Sequence, residues 1–109
     1  MAENFKSAQV APGATTLTTA YTCPPNAKAI VRSATVCNRG SATTFRIAKR
    51  VQGASIDNSH YYVYDDAIGA NKRDMDIPTM VLNASDIISV YAGTADMTFN
   101  FDILEITNS

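Results

Sequence analysis

The chain has 109 residues, of which 46% are hydrophobic and 17% are charged, and its formal net charge is −1. This length fits one domain with one core, and the composition excludes a disordered tail. The longest uncharged run, 7–27, contains three prolines together with Thr, Asn and Gln, which excludes a membrane span and a signal-peptide core.

The first segment, 1–13, alternates only weakly between apolar and polar residues and ends in Pro12-Gly13. This pattern predicts an N-terminal arm that becomes ordered only against a partner, with Phe5 and Val10 as its apolar anchors. We expect the rest of the chain, 14–109, to form the folded domain. It begins with a Thr-rich segment, 14–21, which is typical of an edge strand.

Two better-defined strands follow. Residues 28–37 are small or β-branched, and they lead into Asn38-Arg39-Gly40-Ser41, whose composition predicts a tight hairpin. From 43 to 51 the alternation is strict. It directs Phe45, Ile47 and Val51 to one face and Thr44, Arg46 and Arg50 to the other. One face of this strand is therefore expected to be core and the other basic.

The second half continues in the same manner. Residues 60–64 hold three tyrosines and are closed by Asp65-Asp66, while 72–82 contain Pro78, which indicates an edge strand or a bulge. The segments 87–92 and 97–106 are separated by a short Gly-containing turn, which predicts a hairpin.

About eight strands at this spacing predict an all-β fold, a single antiparallel β-sandwich of the jelly-roll or immunoglobulin-like kind. Periodicity assigns its core to seven large residues: Phe45, Ile47, either Ile87 or Ile88, Val90, Phe99, Phe101 and Ile103.

The charges fall into two blocks of opposite sign. Residues 28–50 carry six basic side chains and no acid, whereas the chain after Arg50 carries nine acids against Lys72 and Arg73. We expect a basic strand pair on one copy to face an acidic edge on the next, although a sheet that simply exposes mixed charges would give the same count. The net charge of −1 disfavours nucleic acid as the partner.

Other chemistry has weaker support. His60, the adjacent tyrosines and Asp65-Asp66 lie on one strand without a nucleophile and an orienting group, so we expect no enzyme activity. Neither Asp65-Asp66 nor Asp74-Met75-Asp76 has the spaced oxygen donors of a calcium loop, and we read both as solvated turns. Cys23 and Cys37 are too few for a disulfide scaffold.

Five segments occur in a fixed order along the chain: Tyr21-Thr22-Cys23-Pro24, Val36-Cys37-Asn38-Arg39-Gly40, Thr44-Phe45-Arg46-Ile47-Ala48, His60-Tyr61-Tyr62 and Ile88-Ser89-Val90-Tyr91-Ala92. Together they resemble small β-sandwich modules in structural proteins of tailed bacteriophages. The resemblance runs from about residue 17 to 103, and no catalytic signature accompanies it.

What the resemblance implies is a virion component, made in the host bacterial cytoplasm and located on the capsid exterior as a decoration (cement) protein. A neck, tail or baseplate subunit is the structural alternative, and a module whose tyrosines bind a glycan or receptor is the other. The expected partners are the major capsid protein and further copies of this chain, as a homotrimer or homodimer. No cofactor, metal, nucleic acid, membrane or small-molecule ligand is expected. The candidate partner-binding residues are Phe5, Val10, Arg32, Arg46, Lys49 and Arg50.

Overall fold

The alternating segments fold into two antiparallel β-sheets in a computed structural model that describes residues 2–74, 77 and 79–107. The described residues contain nine strands and two short 3-10 turns, Val51–Gly53 and Asn58–His60. The strands are β1 (Ala2–Val10), β2 (Thr18–Thr22), β3 (Ala27–Asn38), β4 (Thr43–Arg50), β5 (Tyr61–Ile68), β6 (Arg73–Asp74), β7 (Met80–Leu82), β8 (Ile87–Ala92) and β9 (Met97–Thr107).

The strand order identifies the sandwich as a jelly roll. Sheet A has the order β1-β9-β3, with β6 and β7 both pairing with the free side of β3, and sheet B has the order β2-β8-β4-β5. In the immunoglobulin fold the first two strands share a sheet, whereas here β1 and β2 lie in different sheets. With β6 and β7 counted as one edge position, the arrangement is the eight-stranded jelly roll. The predicted antiparallel β-sandwich is confirmed.

Both predicted hairpins are wrong, because the chain crosses from one sheet to the other at each of them. The turn after β3 leads from sheet A to sheet B, and the turn after β8 leads back to sheet A. Asn38 explains the first crossing. It is buried, and its side-chain amide donates hydrogen bonds to the carbonyl oxygens of Ser41 and Gly69, at 2.8 and 3.0 Å. The residue therefore ties two inter-sheet connections together instead of supplying a positive φ.

The predicted N-terminal arm is also corrected. Residues 2–10 are strand β1, which pairs with β9 along its whole length, from Ala2 opposite Thr107 to Val10 opposite Phe99. This strand satisfies backbone groups that β9 would otherwise leave unpaired at the sheet edge. The edge position predicted for β2 is confirmed. Met75, Asp76 and Pro78 lie outside the described residues, so the predictions that fall on them stay open.

The core lies between the two sheets and contains the residues that periodicity assigned to it. Phe45 of sheet B and Phe99 of sheet A meet edge to face, with ring centroids 6.0 Å apart, and both are fully buried. Of the two adjacent isoleucines on β8, Ile88 is the buried one, while Ile87 is only partly buried. Val51, which alternation directed to the core side, instead begins the 3-10 turn after β4 and is 48% exposed. Each sheet also has an outer face, and packing of the core does not determine which residues lie there.

Candidate interaction surfaces

Four apolar side chains form one continuous row across the outer face of sheet A, which we call the apolar row. Phe5 lies opposite Leu104, Leu104 opposite Ile30, and Ile30 opposite Val81, on β1, β9, β3 and β7. Residues directly opposite each other on paired strands share a face, so the four side chains are neighbours. Phe5 is 73% exposed, Val81 56% and Ile30 39%. Single exposed apolar residues are ordinary, but a contiguous set marks an interaction surface.

A groove runs beside the apolar row and carries charges of both signs. Its volume is about 590 Å³, and Phe5, Arg32 and Asp102 are among its lining residues. The register of β3 against β9 shifts between Val31 and Ser33, and the Arg32 guanidinium lies 5.6 Å from the centre of the Phe5 ring. Asp102 accepts a hydrogen bond of 2.8 Å from the Ser33 hydroxyl. Within the described part of the chain, neither Arg32 nor Asp102 forms an ion pair.

The opposite end of the same face is basic. Arg39, Lys72 and Arg73, all exposed, line a groove of about 580 Å³ together with Cys37, Asn38 and Asn71. Cys37 lies seven residues beyond Ile30 on β3, which separates the basic groove from the apolar row by roughly 24 Å. The outer face of sheet A thus has an apolar end and a cationic end.

Sheet B presents a different arrangement on its outer face, the tyrosine–arginine cluster formed by Arg46, Tyr64, Asp65 and Tyr91. The Arg46 guanidinium carbon lies 4.3 Å from the centre of the Tyr64 ring and 4.4 Å from that of Tyr91. Its Nε and Nη2 donate to the two carboxylate oxygens of Asp65, at 2.6 and 3.3 Å. These hydrogen bonds raise the pKa of Arg46. Arg46 is therefore held within its own chain.

The other two basic residues of β4 are also engaged or partly enclosed. The Lys49 Nζ donates a 3.0 Å hydrogen bond to the Val81 carbonyl and so links β4 of sheet B to β7 of sheet A. Arg50 is partly buried, and its Nε has no hydrogen-bond partner among the described residues. The predicted basic strand pair is wrong, since β3 and β4 belong to different sheets. The two strands do not pair because the chain crosses from sheet A to sheet B after β3, in the connection that Asn38 holds.

The structure thus brings together two of the six sequence-predicted residues, Phe5 and Arg32. Val10 lies on the inner side of β1 and packs against the core, while the three basic residues of β4 belong to sheet B. Sequence reasoning missed Ile30, Val81 and Leu104. The alternation that directed Phe101 and Ile103 inward and Asp102 outward also directs Leu104 outward, and this signal could have identified Leu104 as a residue of the outer face.

The strand considered for acid–base or calcium chemistry has other contacts. His60 is buried at the end of a 3-10 turn, and Asp65 is occupied by Arg46. The described residues contain no group of three or more His, Cys, Asp or Glu side chains arranged to hold a metal ion. None of the helices in the described part of the chain is long and apolar enough to cross a membrane.

A comparison of the chain with known proteins found no matching family model, no matching curated protein and no matching solved structure.

Proposed function

We propose that this protein is a non-enzymatic structural component of a bacteriophage virion, which associates with copies of itself and docks on the major capsid protein from the capsid exterior. The observation that carries the proposal is the apolar row. Three of its members, Phe5, Ile30 and Val81, each expose more than a third of their surface on the same face of sheet A. Such a surface favours a partner because covering it removes apolar area from water.

The fold and the sequence resemblance also support a structural role. Jelly rolls are common in viral capsid and lectin domains, where two packed sheets give a rigid scaffold for contacts. The five segments that resemble phage structural modules support a bacteriophage as the source of the virion. A decoration protein works mechanically, since many copies bridge neighbouring capsid subunits and weak single contacts add up through multiplicity.

A subunit of the neck, tail or baseplate would use the same fold and surfaces in a ring, and it differs in copy number per particle. A glycan- or receptor-binding module is the alternative from another class. A groove of about 380 Å³ lined by Asn58, Tyr61 and Tyr64 favours it, because aromatic rings stack on sugars. The Arg46 side chain covers one face of Tyr64 and so opposes it.

The test is co-sedimentation of the purified protein with capsids assembled from the major capsid protein of the genome that encodes it. We expect the protein to sediment with the capsids, and Ile30→Asp to weaken this binding because a charge in the apolar row disrupts the self-association through which weak single contacts add up. Val51→Asp is the matched control, because Val51 is 48% exposed but lies in the turn after β4, outside sheet A. Absence of the wild-type protein from the capsid fraction, together with a reproducible glycan ligand, would overturn the proposal.

A further inference from the structure

We propose that a second copy of this chain covers the apolar row, so that two sheets A pack face to face around a two-fold axis parallel to their strands. The inference rests on the proposed function in one respect, that the protein acts by association, and it identifies the partner of this surface. Two copies related by a two-fold axis use the same patch on both sides, so the patch must be complementary to itself.

The apolar row meets this requirement. An axis parallel to the strands, between β9 and β3, exchanges β1 with β7 and β9 with β3 while keeping each row at the same height. Phe5 of one copy then faces the partner's Val81, and Leu104 faces the partner's Ile30. The most exposed aromatic residue of the face is thus placed against its most exposed aliphatic residue.

The charges beside the row select this axis over the alternative. Asp102 on β9 lies level with Ser33 on β3, next to Arg32, so the same rotation brings Asp102 of each copy to the Arg32 of the other. An axis running along the row would instead place Arg32 against the partner's Lys28, and Asp102 against the partner's Ile106. The first arrangement forms two opposite-charge pairs, whereas the second opposes like charges, which costs affinity.

The area of the patch indicates a weak dimer. Three strands about eight residues long and the three-residue β7, all about 4.8 Å apart, outline roughly 430 Å² per copy, or roughly 850 Å² in total, which lies in the range of weak, transient interfaces. We therefore expect a dissociation constant in the micromolar range or above and concentration-dependent dimers. Weak pairing of this kind suits a protein whose binding is strengthened by multiplicity.

The test is a charge exchange followed by analytical ultracentrifugation and native mass spectrometry. Asp102→Lys alone places a lysine against the partner's Arg32, and Arg32→Glu alone places a glutamate against the partner's Asp102. Because each change opposes like charges, each variant should raise the dimer dissociation constant about tenfold or more. In an equimolar mixture both contacts of the mixed pair become opposite-charge contacts. We expect a heterodimer with near-wild-type affinity, at a mass that distinguishes it from either homodimer.

Two controls accompany the exchange. Asp66→Lys reverses an exposed acid on β5 of sheet B and should leave the dimer unchanged. Circular dichroism and thermal unfolding of each variant establish that the fold is retained.

A wild-type dimer whose single variants still dimerise, or whose mixture does not re-form the pair, would overturn the proposed axis. A wild-type protein that stays monomeric at every concentration would overturn the second copy as occupant. The capsid co-sedimentation then decides the proposed function separately, because it measures a different partner.

Discussion

Tyr21 donates a hydrogen bond of 2.5 Å from its hydroxyl to Glu105 Oε2, and Lys6 Nζ lies 3.2 Å from the other carboxylate oxygen. Glu105 is only 4% exposed, on the inner face of β9. One carboxylate therefore joins β9 to the edge strands of both sheets, β2 through Tyr21 and β1 through Lys6. The hydrogen bond from Tyr21 and the charge of Lys6 together lower the pKa of Glu105 against the opposing effect of burial.

The lowered pKa predicts a stability that depends on pH at the acid side. A carboxyl group with a folded pKa below its unfolded value of about 4.3 stabilises the fold fully above that value, and the contribution is lost as the pH falls through the folded pKa. Glu105→Gln should remove this dependence and cost about 1 kcal/mol near neutral pH, because a neutral hydrogen bond replaces a charge-assisted one. Urea unfolding at a series of pH values measures both effects. Glu3→Gln, an exposed acid on β1, is the control, and equal curves for both variants would contradict the prediction.

Arg46→Lys should destabilise the outer face of sheet B. A lysine cannot donate to both carboxylate oxygens of Asp65 while its charge lies flat between the Tyr64 and Tyr91 rings. We expect the midpoint of thermal unfolding to fall by a few degrees, and a double-mutant cycle with Asp65→Asn to show coupling that decreases in high salt. Independent effects of the two substitutions would show that the observed pair contributes nothing.

Gly40→Ala tests the close packing of the two turns that cross between the sheets. A Cβ at Gly40 would approach the Asp96 Cβ to 2.9 Å and its Cγ to 2.8 Å, while the Asp96 carbonyl is held by the Arg39 amide at 3.0 Å. Overpacking of this kind costs about 1 to 3 kcal/mol. Chemical denaturation measures the loss, and Gly13→Ala, whose added Cβ would lie 3.6 Å from its nearest neighbour, should change little.

Removal of residues 1–13 should destabilise the domain, whereas removal of a flexible arm would leave it intact. The deletion takes away the whole of β1 and leaves the edge of β9 unpaired. We expect a lower unfolding midpoint and a tendency to aggregate, since an exposed strand edge is a template for pairing with other chains. Size-exclusion chromatography measures aggregation and thermal scans measure the unfolding midpoint. A monomer with an unchanged unfolding midpoint would contradict this role of β1.

Two substitutions on β1 separate its two faces. Val10 packs against the core, so Val10→Ser should cost about 1 kcal/mol or more through lost apolar burial. Phe5, which is 73% exposed, should tolerate Phe5→Ser without loss of stability while the proposed self-association weakens. Unfolding curves and sedimentation of the two variants, measured side by side, give the comparison. Loss of stability in both would mean that Phe5 supports the fold.

The correct sequence predictions of core residues came from the alternation of apolar and polar residues along single strands. It assigned Phe45, Ile47 and Phe99 to the core, because a residue pattern with period two records directly which face a strand buries. It could not say which strands pair. A turn rich in Gly and Asn satisfies the same local chemistry in a hairpin and in a crossing between sheets, and the buried contacts of Asn38 that decide the matter come from residues distant in sequence.

The same limit applied to the surfaces. Each member of the apolar row is ordinary on its own strand, and the row exists only through the register of four strands. The prediction of a basic strand pair from the charge blocks was wrong for a related reason. Arg46 belongs to the basic block and Asp65 to the acidic one, yet they form an ion pair inside the same molecule. Proximity in sequence defined the blocks, whereas proximity in space sets the electrostatics.

The position of β9 at the centre of sheet A has a consequence for biosynthesis. This strand pairs with both β1 and β3 and follows every other described strand in the chain, so β1 and β3 lack their shared neighbour until residues 97–107 have left the ribosome. Closure of so many sequence-distant pairings makes folding slow. A nascent chain stalled before residue 97 would therefore be a substrate for chaperones, and sheet A would become complete only once β9 has emerged.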